Sequence, residues 1–182
     1  MSKNTLVGAL SFSLVENREL QLAIVYSSLI FFIPAFVHQQ LLTGPIVNAL
    51  LVLSLLHLGK SKAFFLALIP STVALSRGLL PLALAPMVPF IMISNCLYLE
   101  IIAQMQSKTQ SKNFLSVFLA SAVKAIFLFA ISKLLMERII VGPLSSKIAM
   151  MMSWPQFATA LLGGSLALFV DASLKKNKLL VK

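Results

Sequence analysis

The chain has 182 residues, 59% of them hydrophobic and 11% charged, with a mean hydropathy of +0.96 and a net charge of +10. That balance excludes a soluble domain with a polar surface and points to an integral membrane protein. One span takes about 20 apolar residues, so the length accommodates about six spans and no sizeable soluble domain.

In chain order, the first apolar stretch, Leu6 to Val15, is short, carries Ser11 and Ser13, and is followed by Glu16, Arg18 and Glu19. A secretory signal has a longer core and a small-x-small exit. Residues 1–19 therefore read as a cytoplasmic lead-in, an interfacial helix being one form of it. Hydropathy then predicts six helices over 20–37, 45–59, 62–77, 86–105, 114–136 and 150–171. The expected fold is an all-α membrane protein, a six-helix transmembrane bundle over 20–172 with a basic cytoplasmic tail over 173–182. The second and third helices look short: they reach only about 22 to 24 Å, which implies little tilt or a local notch.

Cytoplasmic loops retain Lys and Arg. Lys3 and Arg18, Lys60 and Lys62, Lys108 and Lys112, and the cluster Lys175, Lys176, Lys178 and Lys182 all fall on one side of the predicted bundle. Arg77, Arg138 and Lys147 fall on the other, with Glu137 partly offsetting them, and 38–44 has no Lys or Arg. Both termini are thus expected in the cytoplasm. Topology and attraction to lipid headgroups account for the lysine cluster, and no nucleic-acid partner is expected.

Prolines sit toward the opposite, outer side. Pro86 and Pro89 suit the first turn of the fourth span, where a missing N–H has no partner to lose. The stretch before it, "RGLLPLALAP", is apolar yet carries Gly78 and Pro81. Backbone of this kind cannot face lipid unless its polar groups are satisfied, so it should fold over protein or line a cavity. With the uncharged "HQQLLTG" of 38–44 it makes an outer lid. Pro34, Pro45, Pro70 and Pro155 add further breaks in the outer half, which favours a cavity open to the outside over simple kinks.

Lys124 is the most costly residue in the sequence, because a Lys at mid-membrane carries a penalty of about 2.5 to 3.5 kcal/mol. Measured from the cytoplasmic helix ends at 1.5 Å per residue, Lys124 lies about 18 Å up, Asn95 about 16, Asn48 about 18, Thr159 about 20 and Gln156 about 24. These residues share one layer on the second, fourth, fifth and sixth spans. One reading is that the asparagines join helices by hydrogen bonds of about 1 to 2 kcal/mol or less, with Lys124 paired to Glu100 by a long diagonal. The other is a small-molecule site, with Trp154 as a stacking wall or an interfacial belt residue and Phe90 as a second apolar wall.

Other motifs are weaker. Gly163, Gly164, Ser165 and Ala167 permit close helix approach. "SLLHLGKS", Ser54 to Ser61, looks like the end of a phosphate loop but lacks its leading glycine and the preceding strand. His38 and His57 have no carboxylate close in sequence and Cys96 has no second cysteine, so no metal site, haem or other cofactor is expected. Five carboxylates in no paired motif give no catalytic residues, and the chain reads as a non-enzyme.

The pattern resembles the substrate-binding S components of energy-coupling factor (ECF) vitamin transporters. The residues that carry the resemblance are Ala23-x-x-x-Ser27, "TGPIVNALLVL" from Thr43, "LAPMVPFIMISN" from Leu84 and "SWPQFATALLGG" from Ser153. It implies a multi-pass protein of the cell membrane that captures a small vitamin-like or cofactor-related solute. It also implies partners: a transmembrane coupling subunit, docked on Ala23 and Ser27, and ATPase subunits. In the family the motif is typically Ala-x-x-x-Ala, so Ser27 is a departure. Asn48, Asn95, Lys124, Trp154, Gln156 and Thr159 are the expected substrate-binding residues. The rival expectation is a membrane scaffold or assembly factor whose polar layer only joins helices.

Overall fold

The structure is a computed structural model that describes the backbone of residues 3–37, 39–139 and 149–177, and the side chains of 18–37, 39, 41–82, 84–135 and 149–177. His38, Lys147, Lys178 and Lys182, and the side chains of Lys3, Glu137 and Arg138, lie outside the described residues. Among the described residues the α-helices with both ends described are, in order, α1 Lys3–Phe36, α2 Gln40–Leu58, α3 Lys60–Ala67, α4 Ile69–Ser76, α5 Val88–Met105, α6 Gln110–Ile139 and α7 Trp154–Lys176. A 3-10 segment, Leu82–Met87, leads into α5, and there is no strand among the described residues.

Among the described residues five stretches are long and apolar enough to cross a membrane: Arg18–Phe36, Leu41–Leu58, Leu84–Met105, Gln110–Leu135 and Ala149–Lys176. Their outward residues suit lipid, with Phe36, Ile126 and Phe169 each at least two-thirds exposed. A soluble monomer rarely tolerates so much contiguous apolar surface.

Two expectations on length change. The second helix is not short: it starts at Gln40 rather than 45 and runs 19 residues. Thr43 N donates to Gln39 O at 2.9 Å, which starts the helix ahead of the proline. Pro45 removes only the single bond to the carbonyl four residues earlier and is tolerated this near the start. Of the expected 38–44 lid, Gln40 to Gly44 is helix.

The third predicted span is instead two helices of eight residues each, α3 and α4, hinged at Leu68. Pro70 stands at the start of α4 and cannot donate to the turn before it, which breaks the helix there. The "SLLHLGKS" stretch is the hairpin between α2 and α3, and Gly59 holds it with φ 85°. That backbone angle favours glycine in any turn of this shape.

Residues 77–87 fold back over protein as expected. Gly78 turns the chain with φ 74°, after which Leu80, Leu84 and Met87 bury themselves against Val88, Leu128 and Met152. The most extensive helix contact is between α2 and α7. Gly163 makes it possible: a Cβ there would collide with the Pro45 carbonyl, the Asn48 side chain and the Ala49 N. Gly164 gives the same clearance to Tyr98 and Val117. Among the spans, α2 is the most enclosed and α1 the least.

The ends sort by charge. Lys62 pairs with Glu19 and Lys60 with Glu100, while Lys108 and Lys175 flank one cleft with Asp171. The start of α3, the ends of α5 and α7 and the start of α6 therefore lie at one basic end of the bundle.

Candidate functional site

The polar layer expected from helix depth assembles around Lys124, near the middle of α6. Its side chain is only 2% exposed. The Lys124 Nζ donates to Asn48 Oδ1 and to Asn95 Oδ1, both at 2.7 Å, and lies 5.2 Å from the centre of the Tyr98 ring. This joins α2, α5 and α6 through one ammonium. At that range the ring face adds a cation–π attraction that is strongest when desolvated, about 2 kcal/mol.

Each asparagine has a reason for its orientation. The Asn48 Nδ2 donates to Gly44 O at 2.9 Å, one turn back on α2. The Asn95 Nδ2 donates to Ala67 O at 3.2 Å, a carbonyl left at the end of α3 by the break at Leu68. With both nitrogens so engaged, both oxygens turn toward Lys124. The amide inside the apolar "FIMISN" run thus caps a broken neighbour and holds the cation.

Lys124 has no carboxylate partner among the described residues. The ion pairs there are His57–Asp171, Lys60–Glu100, Lys62–Glu19 and Lys175–Asp171. Glu100 is occupied by Lys60 and Gln104 at the basic end, which removes the diagonal pairing with Lys124.

A partly open cavity of about 110 Å³ borders this cluster, at the end of the bundle away from Lys60 and Lys108. Asn48, Asn95, Lys124, Gln156 and Thr159 all line it. Thr159 donates to Pro155 O at 2.8 Å, and Gln156 Nε2 reaches Met151 O at 3.4 Å. Trp154 does not line the cavity: it opens α7 on the surface, 58% exposed. Phe90 packs against the Leu80–Met87 cluster and is likewise not part of the lining. Apolar walls come instead from Pro34, Val47, Pro70, Leu79, Leu80 and Ile91.

Two residues escape the sequence reading. Tyr98 is fully buried and donates to Ala160 O at 2.8 Å; it lies three residues after Asn95, on the same helix face, and that spacing was a usable signal. Ser71 lines the cavity from α4, is 5% exposed, and its hydroxyl has no partner among the described residues. Nothing in "LIPSTVAL" marks that serine, since its significance depends on where α3 breaks.

At the basic end His57 does have a carboxylate, contrary to its isolation in sequence. With the proton on Nε2, His57 donates to Asp171 Oδ1 at 3.2 Å while the Tyr26 hydroxyl donates to Nδ1. Asp171 Oδ2 accepts from Lys175 Nζ at 2.7 Å. The bond from His57 spans 114 positions, a distance that hides it from any local pattern. Among the described residues no cluster of three His, Cys, Asp or Glu side chains could hold a metal.

Ala23 is half-buried against the core, and the Ser27 hydroxyl folds back on α1 to the Ala23 carbonyl at 2.7 Å. Comparison with known proteins finds no matching family model, curated protein or solved structure. The functional reading below therefore rests on residues and geometry.

Proposed function

We propose that this chain is a multi-pass protein of the cell membrane that captures a small solute, serving as the substrate-binding subunit of an ECF-type uptake transporter. The observation that carries the reading is the buried Lys124 on the wall of a cavity, with no carboxylate partner among the described residues. A bare cation at this depth is expensive, and a visiting solute that contacts it recovers part of that energy only while bound.

In this reading α3 and α4 together form a broken sixth span, both termini are cytoplasmic, and the cavity opens outward beneath residues 77–87. Asn48, Asn95, Lys124, Gln156 and Thr159 hold the solute. The least enclosed helix, α1, presents Ala23 and Ser27 to a transmembrane coupling subunit served by ATPases. Binding is the chain's own task, and catalysis is not part of it.

A second reading is a non-catalytic scaffold or assembly factor. Its specific support is that Lys124 already holds Asn48 and Asn95 at 2.7 Å and so joins three helices without a ligand. A thermal-shift screen of the purified chain against water-soluble vitamins and related metabolites separates the two. Capture predicts stabilisation by at least one compound, absent in Lys124→Met. A stable bundle that no compound stabilises supports the scaffold.

A further inference from the structure

Resting on the capture reading, we infer that the solute is a small organic monoanion whose carboxylate bridges Lys124 and Ser71, with the rest of the molecule lying against apolar walls. Lys124 has three N–H donors, of which two go to Asn48 Oδ1 and Asn95 Oδ1. Each asparagine NH2 spends one donor on a backbone carbonyl, Gly44 O or Ala67 O, and keeps a second. The Ser71 hydroxyl is buried and unpartnered among the described residues. The carbonyl four residues before it, to which a helical serine commonly back-bonds, is the Ala67 carbonyl that Asn95 already occupies.

The free donors gather at the cation, one N–H on Lys124, one on each asparagine and the Ser71 hydroxyl, while both asparagine oxygens are taken up by Lys124. Such a surface is satisfied by a group offering several lone pairs and no hydrogens, which is the inventory of a carboxylate. Charge narrows the class further, because among the described residues Lys124 is the one charged residue lining the cavity. A single negative charge neutralises it. A phosphate dianion would bring a second charge into a poorly solvated place with nothing to meet it. A cationic solute would meet Lys124 as a like charge.

Size bounds the rest. A cavity of about 110 Å³ is smaller than the roughly 150 Å³ that accepts a benzene ring in an apolar interior. A short aliphatic acid fits as the cavity stands, and a ring acid fits with its far edge in the open mouth.

The test uses the full chain in lipid nanodiscs and matched probes at equal ionic strength: butyrate against butyramide, benzoate against benzamide, and propyl phosphate as the dianion. Thermal midpoints should rise with the acids and stay flat with the amides and the phosphate ester. Ser71→Ala removes an unpartnered hydroxyl and so keeps the fold; it should weaken the response to the acids by about tenfold, the value of one hydrogen bond to a charged group. Lys124→Met should abolish the response.

Amides that stabilise as well as the acids would overturn the monoanion while leaving capture intact, and so would a phosphate ester that stabilises more. An unchanged acid response in Ser71→Ala would overturn the bridge. Silence from every probe in the wild-type chain, together with silence in the metabolite screen, would overturn this inference and the capture reading at once. Silence from these probes beside a positive metabolite that is not an acid would overturn only the inference.

Discussion

Lys124 and its two asparagines form a network of a particular kind: every oxygen is committed to the cation, and the cation is not neutralised. Supplying the missing charge internally tests that description. Asn48→Asp places a carboxylate where Asn48 Oδ1 now stands 2.7 Å from Lys124 Nζ, and the Gly44 carbonyl retains its helical N–H. The variant should be at least as stable as wild type to heat and should no longer respond to acids, because its cation already has a partner. Tyr98→Phe isolates the neighbouring contribution. It loses the bond to Ala160 O, worth about 1 kcal/mol, and keeps the ring face that Lys124 approaches at 5.2 Å. Its thermal midpoint should fall modestly while solute binding stays unchanged.

At the scale of elements, the site depends on how closely α7 approaches α2. Gly163 lies against the Asn48 side chain as well as the α2 backbone, so the same contact that packs the helices also positions a Lys124 ligand. Gly163→Ala should lower stability by about 1 to 3 kcal/mol, as overpacking does, and should weaken solute binding by displacing Asn48. Leu162→Ala provides the control: that side chain is 62% exposed on the same helix and its loss should leave binding intact. Chemical denaturation and binding measured on both variants check the pair.

Elements were legible in the sequence to the extent that local chemistry dictates them. The apolar runs around Leu99 and Ala120 mark long helices, and Pro86 and Pro89 mark the start of one. Pro70 signals a break, but hydropathy still joins 62–77 into one span, since it does not register a change of direction. The depth count placed Asn48, Asn95, Lys124, Gln156 and Thr159 in one layer because rise per residue is fixed in a helix. The same count could not show that Trp154, at the mouth of α7, faces outward.

At the scale of the whole molecule, the two ends are built differently. The end away from Lys60 and Lys108 has prolines and the fold-back over 77–87, and the cavity there reaches a cation with no carboxylate partner among the described residues. At the basic end Tyr26, His57, Asp171 and Lys175 tie α1, α2 and α7 together. No sequence pattern could announce this tie, which pairs residues far apart along the chain. Asp171→Ala should therefore destabilise the bundle by about 1 to 3 kcal/mol, the penalty for leaving buried polar partners unmet. Because Asp171 lies at the end away from the cavity, solute affinity should be preserved, and thermal melts run with and without solute check both halves of the prediction.

The most direct measurement is native mass spectrometry of the chain released from its own membrane, wild type beside Lys124→Met. Removing Lys124 relieves a buried charge of about 2.5 to 3.5 kcal/mol and leaves two amide oxygens unmet at about 1 to 3 kcal/mol each, so the variant should remain folded. The account predicts a small molecule carried by the wild-type chain and missing from the folded variant. The same bound mass on both proteins, or a bare wild-type chain that no metabolite stabilises, would contradict it.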